Sequence, residues 1–252
     1  MVAIEAVLFD FSGTLFRLEY DESWSADFTR PGGRPFEVRE KVEIVRRMTA
    51  SVEHSVALDA QMQYTWENRD LDPEWHRMAT VEVLRRSGVP TDEQAERLYA
   101  RLVDPLQWTP YPDTGAALKR CGEHGIPVAV VSNVPFDIRP SFAARAWDRL
   151  VCEFTLSYEV GLKKPDPQIF RSALDTLGVR AEAALMIGDS VAVDGAVTAL
   201  GCSFARVDAL PTVERQDALL NALGRYGLAD TRPGSSKPAR DARPGGIVGP
   251  GG

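Results

Sequence analysis

Histidine and cysteine are scarce in this 252-residue sequence, which has three of each. The cysteines are far apart and form no CxxC pair, so neither a zinc site nor a disulfide framework is indicated. No GxSxG motif is present, and three histidines support a Ser-His-Asp triad poorly. Reduced thiols without metal-ligand spacing are typical of a cytoplasmic protein, which is the location we expect.

The sequence also lacks a basic excess and a long apolar run. Its formal net charge is −7 and its pI is about 5.1, so we expect no nucleic-acid partner, because binding a phosphate backbone requires a basic surface. No apolar stretch approaches the roughly 20 residues of a membrane span, so we expect no membrane association. The composition is compatible with a monomer or a homodimer.

Short apolar runs alternate with helical patterns through most of the chain. Strands are predicted at residues 2–9, 127–132, 153–157, 184–188 and 202–207. Their apolar character is nearly continuous, which indicates strands that are covered on both faces, as in a parallel sheet. Asp166, Pro167 and Gly178 have the cap positions of a helix between two of these strands. A further helix is predicted over 193–200. The pattern predicts an α/β fold with a doubly wound, Rossmann-like parallel sheet.

Residues 17–109 have little strand signal and several helical segments. A stretch of this length exceeds any ordinary loop, so we expect an inserted helical cap domain, with residues 1–16 and 110–228 forming the α/β core. Thr91 and Gln94 have capping-box spacing at the start of one helix of the insertion. Residues 229–252 are rich in glycine and proline and poor in large apolar side chains, which predicts a disordered tail.

Polar clusters follow four of the predicted core elements. The segments are Asp10-Phe11-Ser12-Gly13-Thr14-Leu15, Val130-Val131-Ser132-Asn133, Gly161-Leu162-Lys163-Lys164-Pro165-Asp166-Pro167 and Met186-Ile187-Gly188-Asp189-Ser190, the last with Asp194 five residues after Asp189. In open α/β sheets the ligand crevice lies beyond the carboxyl ends of the strands, so these clusters are expected to converge.

The four segments resemble, in order, the motifs of the haloacid dehalogenase superfamily. DFSGTL is similar to its DxDGT motif, the lysine before Pro165 to its KPDP element, and Asp189 with Asp194 to its acidic GDxxxxD motif. The resemblance covers roughly residues 1–207. It implies a hydrolase that acts on a small phosphorylated substrate through an aspartyl-phosphate intermediate.

The same resemblance assigns a role to each matching residue. Asp10 would be the nucleophile, and Lys164 would be the catalytic cation that balances the charge of carboxylate and phosphate. Substrate-binding roles fall to Thr14, Ser132 and Asn133. A Mg²⁺ cofactor, which prefers hard oxygen ligands, would be held by Asp10, the Ser12 carbonyl, Asp189 and Asp194.

Ser12 departs from the family pattern. Phosphatases of this family usually have a second aspartate there, which acts as general acid and then as base. A hydroxyl cannot supply a proton near neutral pH as a carboxylic acid can, and such help is typically worth ~10²–10⁴ in rate. The serine keeps the backbone carbonyl that would serve the metal.

Four interpretations of Ser12 follow. The first is a phosphatase whose leaving group needs little protonation or whose acid comes from the cap. The second is a dehalogenase-like reaction, which needs neither the acid nor a metal and against which Asp189 counts. The third is phosphonate cleavage through a Schiff base on Lys41, which as the only cap lysine we expect to be a solvated surface residue. The fourth is a catalytically silent phosphate-binding protein, against which intact Asp10, Lys164 and Asp189 count.

Overall fold

The structure, a computed structural model, describes residues 3–30, 32–49 and 58–229. Its strands are β1 (Ala6–Phe9), β2 (Phe16–Leu18), β3 (Trp108–Pro110), β4 (Val128–Ser132), β5 (Glu153–Leu156), β6 (Ala184–Gly188) and β7 (Ser203–Arg206). Its helices are α1 (Val38–Thr49), α2 (Ala60–Glu67), α3 (Pro73–Arg86), α4 (Asp92–Leu102), α5 (Thr114–Glu123), α6 (Arg139–Ala143), α7 (Ser157–Val160), α8 (Pro167–Leu177) and α9 (Ala218–Arg225). Within these residues no helix has the length and apolar character that crossing a bilayer requires.

Five strands form one parallel sheet in the order β5-β4-β1-β6-β7. Alternate residues of β1 enter different cores: Val7 and Phe9 pack with the cluster under α5 and α9, and Leu8 packs with the cluster under α8. Both faces of the strand are therefore buried, which explains its unbroken apolar sequence. The predicted doubly wound α/β sheet is confirmed: β6 has the predicted bounds, and the other four strands are shorter than predicted by one to four residues.

Of two helices predicted from the sequence, one agrees with the structure and the other does not. Asp166 caps α8 by accepting a hydrogen bond from the Gln168 amide, and Gly178 ends it in the left-handed region, as expected. The helix predicted over 193–200 is instead a 3-10 helix, Gly195–Leu200. This correction has a local reason, because Gly195 lowers the helix propensity at the start of the segment and Gly201 ends it in the left-handed region.

The segment between β2 and β3 contains α1 to α4 and its own apolar cluster, which includes Trp24, Phe28, Leu84 and Leu98. The helical character expected for residues 17–109 is thus present in the described part of that range. The Thr91 hydroxyl accepts from the Gln94 amide at 3.2 Å, but the Gln94 side chain donates to the Asp27 carbonyl, so only half of the predicted capping box forms.

An antiparallel pair of three-residue strands, β2 and β3, connects this helical segment to the parallel sheet. The pair is absent from the strands predicted above, because three residues are too few to show a strand period. The proposed domain boundaries at 16/17 and 109/110 pass through this pair, and the division of the chain at those residues remains a prediction. The tail predicted over 229–252 lies outside the described residues from position 230 onward.

Candidate functional site

The carboxyl ends of β1, β4 and β6 meet at one edge of the sheet. Asp10 directly follows β1, Ser132 ends β4, and Asp189 directly follows β6. The fourth segment reaches the same edge through the loop between α7 and α8, which carries Lys164. The convergence that the motif order predicts is therefore present in the structure.

Lys164 is the centre of this cluster. Its Nζ lies 2.6 Å from Asp10 Oδ1 and 2.6 Å from Asp194 Oδ1, and the residue is only 3% exposed. Burial alone would lower the pKa of the lysine, but the two carboxylates outweigh it and raise that pKa. The ammonium group therefore remains charged and bridges two acids that lie 154 and 30 residues from it.

Asp10 is held from both sides of its carboxylate. The Thr14 hydroxyl donates to Oδ2 at 3.1 Å, and the Ser132 hydroxyl lies 3.5 Å from Oδ1, the oxygen that Lys164 also contacts. Burial raises the pKa of Asp10 to about 7, against the opposing effect of the Lys164 charge. A carboxylate in this state is fixed in direction and poorly solvated, which favours reaction as a nucleophile.

Three carboxylates share this edge. Oxygens of Asp10, Asp189 and Asp194 all lie within 4.8 Å of one another. Asp194 accepts from Lys164 on one oxygen and from the Ser190 amide on the other, at 3.0 Å. Asp189 is half-buried and faces the open cleft, and burial followed by the Asp194 charge raises its pKa. Asp189 is thus the acid best placed to meet a ligand.

Two glycines make room for these acids. A Cβ at Gly13, whose φ is +77°, would lie 2.5 Å from Asp189 Oδ2, and a Cβ at Gly188 would overlap the Asp194 carboxyl group. The backbone of each loop therefore approaches the neighbouring carboxylate more closely than a side chain would permit.

Asn133 is tied to the main chain of Lys164. Its Nδ2 donates to the Lys164 carbonyl at 2.8 Å, and its Oδ1 accepts from the Lys164 amide at 2.7 Å. This reciprocal pair positions the lysine, a contact that the sequence pattern does not reveal. Asn133 also lines the cleft, so its predicted role in substrate binding stays a prediction.

Arg215 is a site residue that sequence reasoning missed. It is 4% exposed, and its guanidinium donates to the carbonyl oxygens of Gly13, at 2.7 Å, and Thr14. The same group packs on the Tyr111 ring. These contacts fix the loop that follows Asp10. No local pattern around position 215 signals them, because they depend on tertiary packing across about 200 residues.

A cleft of about 810 Å³ opens between the sheet edge and the helical segment. Ser12, Asn133 and Asp189 line its core side, and residues of the helical segment line the other. The lining residues from that segment and its junction include Glu19, Tyr20, Trp66, Arg69, Asp70, His76 and Trp108. The cleft is therefore large enough to hold a substrate considerably bigger than a phosphate group.

A family model described as haloacid dehalogenase-like hydrolase matches residues 4–197. The chain belongs to this family. The haloacid dehalogenase-like assignment agrees with the order of the four motifs, which all lie within the matched residues. Arg215 lies beyond them.

The relatives of this haloacid dehalogenase-like hydrolase have different activities. It is 31% identical to a phosphoserine phosphatase of Thermus thermophilus over 43% of this chain and 44% of that protein. It is 27% identical to the (S)-2-haloacid dehalogenase H-109 of Pseudomonas putida over 86% of this chain and 96% of that protein. The chain spans about half the length, or less, of the first curated relatives it matches.

The fold is shared with a solved HAD phosphatase from Thermococcus onnurineus. That structure matches with a TM-score of 0.55 at 20% identity and covers 90% of this chain and 99% of its own. At this identity the likeness concerns the fold alone.

Proposed function

We propose that this hydrolase is a Mg²⁺-dependent phosphatase that acts on a small phosphorylated metabolite through an aspartyl-phosphate on Asp10. The observation that carries the proposal is the buried contact of Asp10 with Lys164 beside a second and third carboxylate. A nucleophile that forms a phosphoenzyme needs positive charge around it, and a lone carboxylate pair would repel a phosphate dianion.

The donor set at this edge fits Mg²⁺. All three acids offer hard oxygen atoms, and no sulfur or imidazole ligand competes among them. Asp10, Asp189 and the Ser12 carbonyl would hold the ion, with Asp194 acting as a further ligand or through water. When bound, the ion supplies charge that offsets the negative charge of the substrate phosphate.

In this proposal the other steps are carried out by side chains of the protein. Asp10 attacks the phosphorus atom while Lys164 holds the attacking carboxylate in direction and charge. Thr14 and Ser132, whose hydroxyls already contact Asp10, would position the phosphoryl oxygens. Asn133 keeps the lysine in place through its main chain. We also propose that the helical segment over 17–109 acts as a cap, because it supplies one wall of the cleft.

A second candidate is a 2-haloacid dehalogenase. It is favoured by the P. putida relative, which matches over most of both chains, and by Ser12, since a leaving halide needs no proton. Asp189 counts against it, because a metal-independent displacement gains nothing from a third carboxylate close to the nucleophile.

The deciding experiment compares phosphate release from acetyl phosphate with chloride release from 2-chloropropionate, each with Mg²⁺ and with EDTA. Phosphate release that requires Mg²⁺ and disappears in Asp10→Asn supports the phosphatase. Chloride release that persists in EDTA supports the dehalogenase. Binding of Mg²⁺ and phosphate without turnover of either compound would identify a silent binding protein. Asp208→Asn, which alters a carboxylate 65% exposed on the surface, is the matched control.

A further inference from the structure

Ser12 leaves the proposed phosphatase without its usual proton donor, so the cleft must supply one for any substrate with a poor leaving group. Among the described residues, three carboxylates line the cleft: Glu19, Asp70 and Asp189. Asp189 belongs to the acidic cluster at the sheet edge. Glu19 accepts from the Thr212 amide at 2.8 Å and pairs with Arg17 at 3.4 Å. Glu19 is thus held by two close contacts, whereas the Asp70 carboxyl has a looser pairing, with Arg69 at 3.8 Å, so Asp70 is the candidate acid.

Asp70 lies in the 3-10 turn Arg69–Leu71 of the helical segment and is anchored to the core. The Ser157 hydroxyl donates to the Asp70 carbonyl at 2.5 Å and accepts from the Val134 amide at 3.0 Å. Val134 directly follows Asn133, so one hydroxyl connects this turn to the loop that ends β4. A second connection comes from Lys163, whose ammonium donates to the Glu67 carbonyl. The Asp70 turn is therefore held against the core wall of the cleft.

The surroundings of the Asp70 carboxyl suit a group that gains and loses a proton. Its side chain is only 18% exposed, and burial raises its pKa, which favours the protonated form. The charges of Arg69, Lys163 and Lys164 act in the opposite direction. Arg69 is the nearest of them, with Nε 3.8 Å from the carboxylate. The acid is therefore biased towards neutrality, and its conjugate base keeps cationic neighbours.

We propose that Asp70 is the general acid of this enzyme and replaces the aspartate that is missing at position 12. The inference rests on the proposed phosphatase function. In the first half-reaction, Asp10 forms a bond to phosphorus while the bond from phosphorus to the leaving oxygen breaks. The leaving oxygen takes the proton of Asp70 and departs as an alcohol. In the second half-reaction, the Asp70 carboxylate takes a proton from the water that displaces Asp10, which releases hydrogen phosphate and restores both acids.

The test depends on how much protonation the leaving group needs. An alkyl phosphate such as β-glycerophosphate needs a proton on its leaving oxygen, whereas acetyl phosphate and 4-nitrophenyl phosphate do not. Asp70→Asn is expected to lower kcat/KM for β-glycerophosphate by ~10² or more and to change it less than about three-fold for the activated esters. Glu67→Gln, an exposed carboxylate of α2, is the matched control and is expected to leave all three unchanged.

The double variant Ser12→Asp with Asp70→Asn separates lost chemistry from lost structure. An aspartate at the exposed position 12 should restore alkyl phosphate turnover if only a proton donor is missing. Equal losses on all three substrates, no loss on any, or a wild-type enzyme that leaves alkyl phosphates intact would each overturn the role of Asp70. A wild-type protein that hydrolyses no phosphate at all would instead overturn the proposed function, and the inference with it.

Discussion

Arg215 donates a hydrogen bond to the carbonyl oxygen of Gly13 at 2.7 Å, although the two residues lie 202 positions apart. The same guanidinium donates to the carbonyl oxygens of Thr14 and Asp208, so a single buried side chain ties the loop after β7 to the loop that follows Asp10. The loop that follows Asp10 is therefore held by a residue that lies outside the residues matched by the family model.

Arg215→Met is the substitution that tests this dependence. It leaves buried carbonyl groups without donors, and we expect the free energy of unfolding to fall by about 2–3 kcal/mol. We also expect kcat on acetyl phosphate to fall about ten-fold or more with KM within about three-fold, since the loop rather than the cleft is disturbed. Arg215→Lys should restore part of kcat.

Arg206→Met is the control for that variant, because Arg206 pairs with Asp208 at the surface and is 58% exposed. Such a pair contributes under about 1 kcal/mol, so urea unfolding and steady-state kinetics should both remain close to wild type. If Arg206→Met lowered kcat by as much as Arg215→Met does, the positioning role of Arg215 would be contradicted.

Asp10 should make the metal-free protein less stable as pH rises. Burial raises the pKa of its carboxyl to about 7, so between roughly pH 4 and 7 the folded state holds a proton that the unfolded state has released. Stability is therefore lost as pH rises through this range. Asp10→Asn removes the effect, and its stability relative to wild type should increase from pH 4 to pH 8, by at most about 4 kcal/mol.

Urea unfolding in EDTA across that pH range measures the difference. Asp208→Asn, an Asp-to-Asn change at an exposed position, is the control for the substitution itself. If the difference in unfolding free energy between Asp10→Asn and wild type did not vary with pH, the pKa of the Asp10 carboxyl would not be raised in the folded protein.

The sheet and the position of Asp10 at a strand end could be predicted because the information is local. Residues 6–9 are all apolar and end at Asp10, so the strand and its functional end are visible in one short stretch. The Arg215 contact to Gly13 and the position of Asp70 in the cleft wall could not be predicted, since each depends on tertiary packing between distant segments. Strands of three residues, such as β2, likewise leave no period to detect.

Gly188→Ala should disturb the ion-pair cluster without removing any of its charged groups. The added Cβ would overlap the Asp194 carboxyl group, which must shift and so alter its contact with Lys164. We expect kcat to fall ~10² or more, because a shift of about 1 Å within the cluster of Asp194, Lys164 and Asp10 misaligns the reacting groups.

Gly122→Ala is the control for that variant. A Cβ added at this position of α5 would meet no neighbouring side chain or loop within 4 Å, so the change should be neutral or stabilising by up to about 1 kcal/mol. Unchanged kcat in Gly188→Ala would show that the Asp194 contact is dispensable.

The lowered pKa of His76 predicts that the helical segment loses stability in acid. Burial, followed by the charge of Arg69, lowers the pKa of its imidazole to about 3, below the ordinary value of 6.5. Below about pH 6.5 the unfolded state therefore binds a proton that the folded state does not bind. The contribution of His76 to the free energy of unfolding is fully present above about pH 6.5 and is lost as pH falls from there towards 3. His76→Phe keeps an aromatic ring beside Tyr99 and removes the titrating group.

Between pH 7 and pH 5, wild type should lose up to about 2 kcal/mol more unfolding free energy than His76→Phe, measured by urea unfolding. Tyr99→Phe is the matched control, because it removes the hydroxyl 3.4 Å from the imidazole and leaves the half-buried histidine in place. Since burial is the main cause of the lowered pKa, the control should retain the acid sensitivity of wild type. Loss of that sensitivity in Tyr99→Phe would assign the effect to the hydroxyl contact instead.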